Sequence, residues 1–555
     1  MKNSSFKFQI KSHLPLIIFL LFYFFIIGYK LIVFSAPFFD WDESINVQVS
    51  KEVIENKSLV PLWQGEPWLD KPPLPFWIFG LVMKLTSFIR PEISLRIFSL
   101  ILSIIALIFV YSNYLKAFTV TEAVEKQSGI PVSVYNLLAS LTVIITAFTP
   151  IFLQRSQIVN LDVFLLIGWL GYLLFVQNFW LSFVFLTISV LTKSLIGFYP
   201  AFILLAYNLI ILWGAIRFKF RKPKRLEKPT LSRLGEPLRL IRMAMIQIAF
   251  LSIWYIIMLF SFRKNFWQQH IIETHFMRVT TSIESHFGQR TYYIDLMREQ
   301  LGVFFWPSLV GLAIVILSAA KNLSIYLRKN RIRDRSLTMD QVAKLLYSSF
   351  LLPWFIFLNL TKTKIFWYLY PAIPQFAFLA VYPFYHLSFP RQTALTGKRE
   401  SSLFSHPEHV SRSGFRNKSG MTIILIMLII SYLFYTNFLK TNFFTTFYSK
   451  PEDYYDLALF AKEKCDSLSV LVGRDTREAT KTLESMKLTI TSTRQWGDHP
   501  SIVYYFGKKV NFIYQTPVEN LKKNECLAVK SDDSQLINNN SNEIKKFNSF
   551  SLYKR

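Results

Sequence analysis

The chain has 555 residues, 52% of them hydrophobic and 17% aromatic, and a net charge of +27. Apolar runs near the ~18–20 residues that cross a bilayer recur from Leu14 to Leu439, which excludes a soluble multidomain protein. The Lys and Arg residues cluster between those runs, as in cytoplasmic loops of membrane proteins, which argues against nucleic acid as a partner.

Lys2, Lys7 and Lys11 precede the first apolar run, Leu14 to Phe34. That run is too long for a signal-peptide core, and no small-residue cleavage site follows it. It reads as a retained first span with a cytoplasmic N-terminus. A polar stretch, residues 35–73, leads to a short apolar run at 74–88 interrupted by Lys84. That length suits an interfacial or re-entrant segment better than a span. Further spans are read at 94–116, 132–150, 162–179, 240–262 and 301–320. The long apolar stretch 180–216 divides at Lys193 and Ser194 into two more. The last three start near Ala343, Tyr368 and Met421, for about eleven spans in all.

Counted this way, the basic segments near 217–228, 328–335 and 391–418 fall on one side, which the charge rule makes the cytoplasm. Counting 74–88 as a span would put all of them outside. The opposite side receives residues 35–73, 154–162, 263–300, 361–367 and the tail. The tail alternates a helical segment at 457–464 with β-like runs at 469–472, 502–506 and 510–514. The expected fold is an α-helical polytopic membrane protein, residues 1–439, with a small extracytoplasmic α/β domain of about 100 residues at 440–555. Cys465 and Cys526 both lie in that tail, where a disulfide and two unpaired thiols are both open.

The polar side carries the candidate chemistry. Asp40, Asp42 and Glu43 put three carboxylates in four residues just past the first span. Residues 43–56 then have apolar positions at helical spacing and read as an amphipathic helix on the membrane surface, with Asp42 and Glu43 near its N-terminus. Helix capping explains such acids, but an acidic cluster beside lipid is costly, which suggests use. The loop continues Gly65-Glu66-Pro67-Trp68-Leu69-Asp70-Lys71-Pro72-Pro73, whose prolines fix a rigid turn. Arg96 stands alone at the outer end of the second span, where an Arg marks a functional pairing or snorkels to the interface. Residues 263–300 hold three of the eight histidines, in no recognised metal spacing, and read as an exposed polar helix and turn.

The Asp-Glu pair after the first span and the Gly-Glu-Pro…Asp-Lys-Pro-Pro run resemble the first outer loop of the protein O-mannosyltransferase superfamily. The bacterial aminoarabinose-transferase-like branch, of GT-C fold, is the nearest match. Three later segments are similar in order and sidedness. These are 155–162 ending in Asp162, Leu191-Thr192-Lys193-Ser194 with Ser194 where Gly is usual, and Thr361-Lys362-Thr363-Lys364…Tyr368-Leu369-Tyr370-Pro371. The match covers roughly residues 14–375; the tail carries little of it.

The resemblance implies transfer of a sugar, with inversion, from a polyprenyl-phosphate carrier to a lipid, glycan or protein acceptor at the outer face of a bacterial inner membrane. It makes Asp42 the base, with Glu43 beside it, and gives Asp162 a part in shaping the acceptor or phosphate site. Lys71, Arg96 and Lys193 would hold the lipid phosphate, and Lys362, Lys364 and Tyr368 would touch it from a mobile lid. Asp70 and His286 match positions that can hold a divalent metal, although the usual acid there is Glu. A transporter or lipid-carrier flippase is the alternative; spans mostly clean of acids and the lack of a repeat argue against it.

Overall fold

The structure, a computed structural model, describes residues 2–125, 132–221, 229–284, 286–328, 339–388, 428–439, 453–515, 525–536 and 542–554. The basic segments 222–228, 329–335 and 391–418 and the expected domain boundary near 440 lie outside those residues.

Helices occupy each stretch read as a span. They run over Lys2–Val33, Pro91–Glu125, Val132–Phe148, Asp162–Leu174, Phe179–Lys193, Tyr199–Arg221, Pro229–Phe266, Phe305–Arg328 and Ile373–Ser388, with a further helical stretch at 428–439. The segment starting near Ala343 is a pair, Met339–Ser349 and Leu352–Leu360, bent by 47° at a break ahead of Pro353. By length and composition, five of the described stretches can cross a bilayer, or six with the bent pair; the apolar helices Val132–Phe148 and Asp162–Leu174 are shorter.

The run at 74–88 forms a helix over Leu74–Leu85, 12 residues long. At 1.5 Å per residue it reaches about 18 Å, well short of a ~30 Å hydrocarbon core. It packs on the helix Asp42–Glu55 at Gly80, where a Cβ would meet the Ser50 carbonyl oxygen at 2.4 Å. The expectation that 43–56 lies on a surface with one polar face is corrected. Glu43 to Ser50 are all buried, because this helix is also covered by the C-terminal segment.

Residues 263–300 are also more ordered than a loop. Arg263 breaks the helix Pro229–Phe266 with φ 48° and ψ −123°, next to the expected end of the span. The chain then continues as a π-helix, Trp267–Met277, and a short helical turn, Arg278–Thr280. A helix at Tyr292–Leu301 closes the segment.

The tail builds a mixed five-stranded sheet. Its strands are β3 (Ser467–Leu471), β4 (Val510–Ile513), β5 (Glu525–Lys530), β6 (Asn542–Lys546) and β7 (Phe550–Lys554), after the two-residue strands β1 (Leu62–Trp63) and β2 (Glu66–Pro67) of the first loop. The order is β4-β3-β5-β7-β6, parallel across β4-β3-β5 and antiparallel across β5-β7-β6. The expected strand at 502–506 is a helix, Ser501–Phe506. It opens after Pro500 and closes at Gly507 in the left-handed region, φ 71°, a typical helix stop. Four of its side chains, Ile502, Val503, Tyr505 and Phe506, are buried, so the alternation of a half-buried strand is absent. Cys465 and Cys526 form a disulfide, tying the helix Asp453–Lys464 to β5.

The tail is seated on the membrane part by polar contacts, some buried and some part-buried. The Tyr505 hydroxyl accepts from the Phe38 amide at 2.7 Å and donates to Glu92 Oε1 at 3.2 Å. Glu273 accepts from the Thr491 amide at 2.7 Å, and Gln64 Oε1 accepts from the Val510 amide at 2.8 Å. Buried and part-buried groups of this kind are matched only in one relative placement, so they fix how the tail sits.

Candidate active site

A cavity of about 1050 Å³ lies between the helix ends and the tail. How the first acidic cluster is deployed decides what faces it. Trp41 takes a positive φ of 66° with ψ −118°; this turn separates Asp40 from the helix that follows, and the helical step from Asp42 to Glu43 separates the other two, so three neighbouring carboxylates go three ways. Asp40 accepts from His499 Nδ1 at 2.8 Å and from the Ser501 amide at 3.0 Å, anchoring the tail. Glu43, 1% exposed, accepts from Arg96 Nε at 2.9 Å and Nη2 at 2.7 Å, and from the amides of Phe39 and Val159. Asp42 faces the cavity and has no hydrogen-bond or ion-pair partner among the described residues.

The surrounding protein raises the Asp42 pKa by restricting its hydration. Arg155 pulls it back down, Asp162 pushes it up, and Lys193 and Lys71 lower it. The carboxylate is itself exposed, because it opens onto the cavity, so water there moderates the shift without reversing it.

Cations surround this position. Asp162 begins the helix Asp162–Leu174 and forms an ion pair with Lys193, the last residue of Phe179–Lys193; Arg155 Nε lies 4.0 Å from its other oxygen. Lys193 sits 5.3 Å from the Tyr368 ring centroid, and Arg155 lies 4.6 Å from that of Trp367. Arg278 pairs with Glu284 at 3.1 Å. Lys71 is pressed down to about 8 by burial and then by Arg278, while Asp70 opposes the shift. Arg155, Lys193, Arg278 and Lys71 all line the cavity. Part of the wall is apolar and aromatic: Tyr199, Phe202, Trp354, Phe357, Ile365 and Tyr368.

Ser194, where the resemblance expects Gly, has φ 57° and ψ −129°, a conformation glycine takes without strain. Its hydroxyl lies 2.6 Å from His270 Nε2 and 2.9 Å from the Tyr255 hydroxyl, contacts glycine could not make. The other imidazole nitrogen of His270 binds the Leu69 carbonyl at 2.7 Å. Lys193 and the Asp70–Lys71 turn are thereby joined through one buried histidine.

The remaining expected residues are placed less centrally. Arg96 is 1% exposed, bound to Glu43 and to the carbonyls of Ala36 and Pro37, and does not line the cavity. Lys364 turns its ammonium onto the Leu358 and Asn359 carbonyls that end the helix Leu352–Leu360. Lys362 is exposed away from the cavity, and only Tyr368 of that trio lines it.

Asp70 and His286 both line the cavity. Asp70 is 4% exposed and accepts the Ser492 hydroxyl at 2.8 and 2.7 Å from its two oxygens. Burial lifts it to about 6, against Lys71, the Ser492 bond and Arg278. Burial also lowers His286, with Arg278 adding to the effect and Glu284 and Asp42 opposing it. No group of three His, Cys, Asp or Glu side chains is placed to hold a metal among the described residues. Lys71 and Arg278 add positive charge around Asp70 and His286, and Glu284 and Asp42 add negative charge.

The sequence reading gave no role to Arg155 or Arg278, although both stand in segments it singled out. It also assigned no cavity face to the tail, yet Asp475, Thr476, Thr480, Thr493 and Trp496 form part of the lining. The spacing of Asp475, Thr476 and Thr480 on the helix Arg474–Ser485 was a signal only once that helix was known to face a site.

No family model matches the chain, and no curated protein matches it. Among solved structures it is similar to ArnT from Cupriavidus metallidurans bound to undecaprenyl phosphate, at 11% identity and TM-score 0.56, over 97% of each chain. The apo form of the same protein aligns at 12% identity and TM-score 0.52, over 97% of this chain and 96% of that one. At such identities the likeness establishes the fold: the chain is a polytopic helical membrane protein of the GT-C fold, closed by a sheet-containing tail.

Proposed function

We propose that the protein is an inverting membrane glycosyltransferase that moves a sugar from a polyprenyl-phosphate donor to an acceptor at the extracytoplasmic face. The observation that carries this reading is the Asp42 carboxylate, without a hydrogen-bond or ion-pair partner among the described residues, opening on a cavity whose lining supplies Arg155, Lys193 and Lys71 together with apolar and aromatic side chains. A carboxylate free of ion pairs is available to take a proton. Clustered cations suit a departing phosphate, and the aromatic lining suits an isoprenoid chain. The solved neighbour with undecaprenyl phosphate bound supports the donor class.

In this reading the acceptor group approaches the anomeric carbon from the side opposite the phosphate. Its bond to that carbon forms as the carbon–phosphate-oxygen bond breaks, which inverts the centre. The acceptor proton passes to Asp42, and the bonding electrons leave with the polyprenyl phosphate, whose charge Lys193, Arg155 and Lys71 meet. Asp162 holds Lys193 and Arg155 in place. Glu43 and Arg96 act beneath the site, clamping the start of the Asp42 helix. Arg278 and Tyr368 are further candidates for contact with the donor head group.

The Cys465–Cys526 disulfide favours an oxidising compartment for the tail, which agrees with the charge rule and a cytoplasmic N-terminus in a bacterial inner membrane. No observation favours a transporter. The test is to incubate purified protein with a panel of polyprenyl-phosphate sugars and extracted acceptors, with and without chelator. Release of polyprenyl phosphate coupled to label transfer, with inverted product stereochemistry, is expected, and transfer that stops on chelation and resumes on adding a divalent ion would assign a metal to Asp70 and His286. Retained stereochemistry, or no transfer with any donor of the panel, would overturn the mechanism.

A further inference from the structure

The tail wall of the cavity differs chemically from the membrane wall. It contributes Asp475, Thr476, Ala479, Thr480 and Leu483 from one face of the helix Arg474–Ser485, where 475/479/483 and 476/480 repeat at the i, i+4 spacing that brings side chains to one side. Thr493 and Trp496 follow from the next turn of chain, and Trp68 lies on the facing loop. Trp496 is 8% exposed and Trp68 4% exposed, and both indole N–H groups lack a partner among the described residues; so does the Thr493 hydroxyl. Buried polar groups are normally satisfied, so these three orphans, together with those of Arg155, His275 and Arg278 elsewhere in the same lining, mark a cavity in which a ligand supplies the missing acceptors and donors. Trp496 is held there firmly. The next residue, Gly497, has φ 63°, and a Cβ on it would meet the Phe512 ring at 2.1 Å.

Among the described residues this wall also has no cation. Of the described lining residues, every Lys and Arg comes from outside the tail. The tail's own nearby arginines are engaged elsewhere, Arg477 with Asp533 and Arg474 with Glu478. Asp475 adds a carboxylate, so a phosphorylated or otherwise anionic group is disfavoured on this side. Aromatic faces flanked by hydroxyls and one carboxylate are the chemistry that recognises a sugar ring, whose axial C–H faces pack on indole and whose hydroxyls both donate and accept.

We propose that the tail wall is the acceptor subsite and that the acceptor it takes is a neutral saccharide presenting a hydroxyl nucleophile. This deepens the transferase reading and rests on it, but its binding test does not require turnover. Full-length protein in detergent would be applied to an array of neutral glycans, phosphorylated glycans and peptides. The variants would be Thr480→Val, Trp496→Phe and, as a catalytic control, Asp42→Asn. Wild type and Asp42→Asn are expected to bind a subset of the neutral glycans alike, with at least about tenfold weaker binding for Thr480→Val and Trp496→Phe. Both tail variants should keep the wild-type thermal midpoint and wild-type binding of polyprenyl phosphate. Failure to bind any neutral glycan, a preference for phosphorylated glycans or peptides, or unchanged glycan binding in both tail variants would overturn the proposal. Glycan binding without sugar transfer by the wild type would instead count against the transferase reading alone.

Discussion

Glu43 and Arg96 form a bidentate ion pair, 2.9 and 2.7 Å, with both side chains 1% exposed. Arg96 comes from the second long helix and Glu43 from the first turn of the Asp42 helix, so the pair sets where Asp42 stands. Removing one partner strands a buried charge. Arg96→Gln and Glu43→Gln should each destabilise the protein by about 3–5 kcal/mol, read as a lowered thermal midpoint in detergent. If Arg96 instead serves the lipid phosphate, Arg96→Gln would keep the midpoint and raise only the donor KM.

Ser194 holds a backbone conformation that costs a non-glycine residue about 1–3 kcal/mol. Its hydroxyl offsets that by joining His270 and Tyr255. Ser194→Ala keeps the strain and loses both bonds, so it should lower stability by about 1–3 kcal/mol. Ser194→Gly loses the bonds but relieves the strain and should fall between Ala and wild type. A thermal series that ranks Gly below Ala would refute this account.

The Cys465–Cys526 bond closes a loop with a sequence separation of 61. Chain entropy for such a loop corresponds to about 4 kcal/mol. The double variant Cys465→Ser with Cys526→Ser should unfold the tail first, seen as protease sensitivity after residue 440. In intact cells both thiols should resist alkylation until a reductant is added.

The pH profile of transfer should be bell-shaped. Asp42 must be ionised to act as base, and its pKa is raised, so activity should fall on the acid side above the ordinary aspartate range. Lys71 titrates at about 8, so its positive charge is lost as pH rises through that value, and donor KM should climb there. Lys71→Arg keeps its charge and should move the alkaline limb upward. An alkaline limb left unmoved by Lys71→Arg would remove Lys71 from phosphate binding.

Much of the fold was legible because apolar length and interrupting charges report helices directly. Lys193 and Ser194 marked the break between Phe179–Lys193 and Tyr199–Arg221, and the end of a span at Phe262 fell beside the non-helical Arg263. Spacing does not report long-range partners. Asp40, Asp42 and Glu43 are equivalent in sequence; the positive φ at Trp41 turns Asp40 away from the other two, and one step of helix separates the open carboxylate from the clamp. Lys364 looked like Lys71 until two carbonyls at a helix end proved to hold it. The segment 502–506 misled because near-complete burial, with only Tyr504 part-exposed, removes the alternation that distinguishes strand from helix. The tail's share of the cavity was invisible because it depends on docking across some 400 residues of sequence, as in the Asp70–Ser492 contact.

The most direct test compares sugar transfer by wild type, Asp42→Asn and Asp42→Glu, each purified and checked for an unchanged thermal midpoint. With a polyprenyl-phosphate sugar that the wild type consumes, Asp42→Asn should lose about 10²–10⁴-fold in kcat while binding polyprenyl phosphate normally. Asp42→Glu should retain part of the activity. Full transfer by a folded Asp42→Asn protein would contradict the assignment of Asp42 as base and with it the account of the cavity.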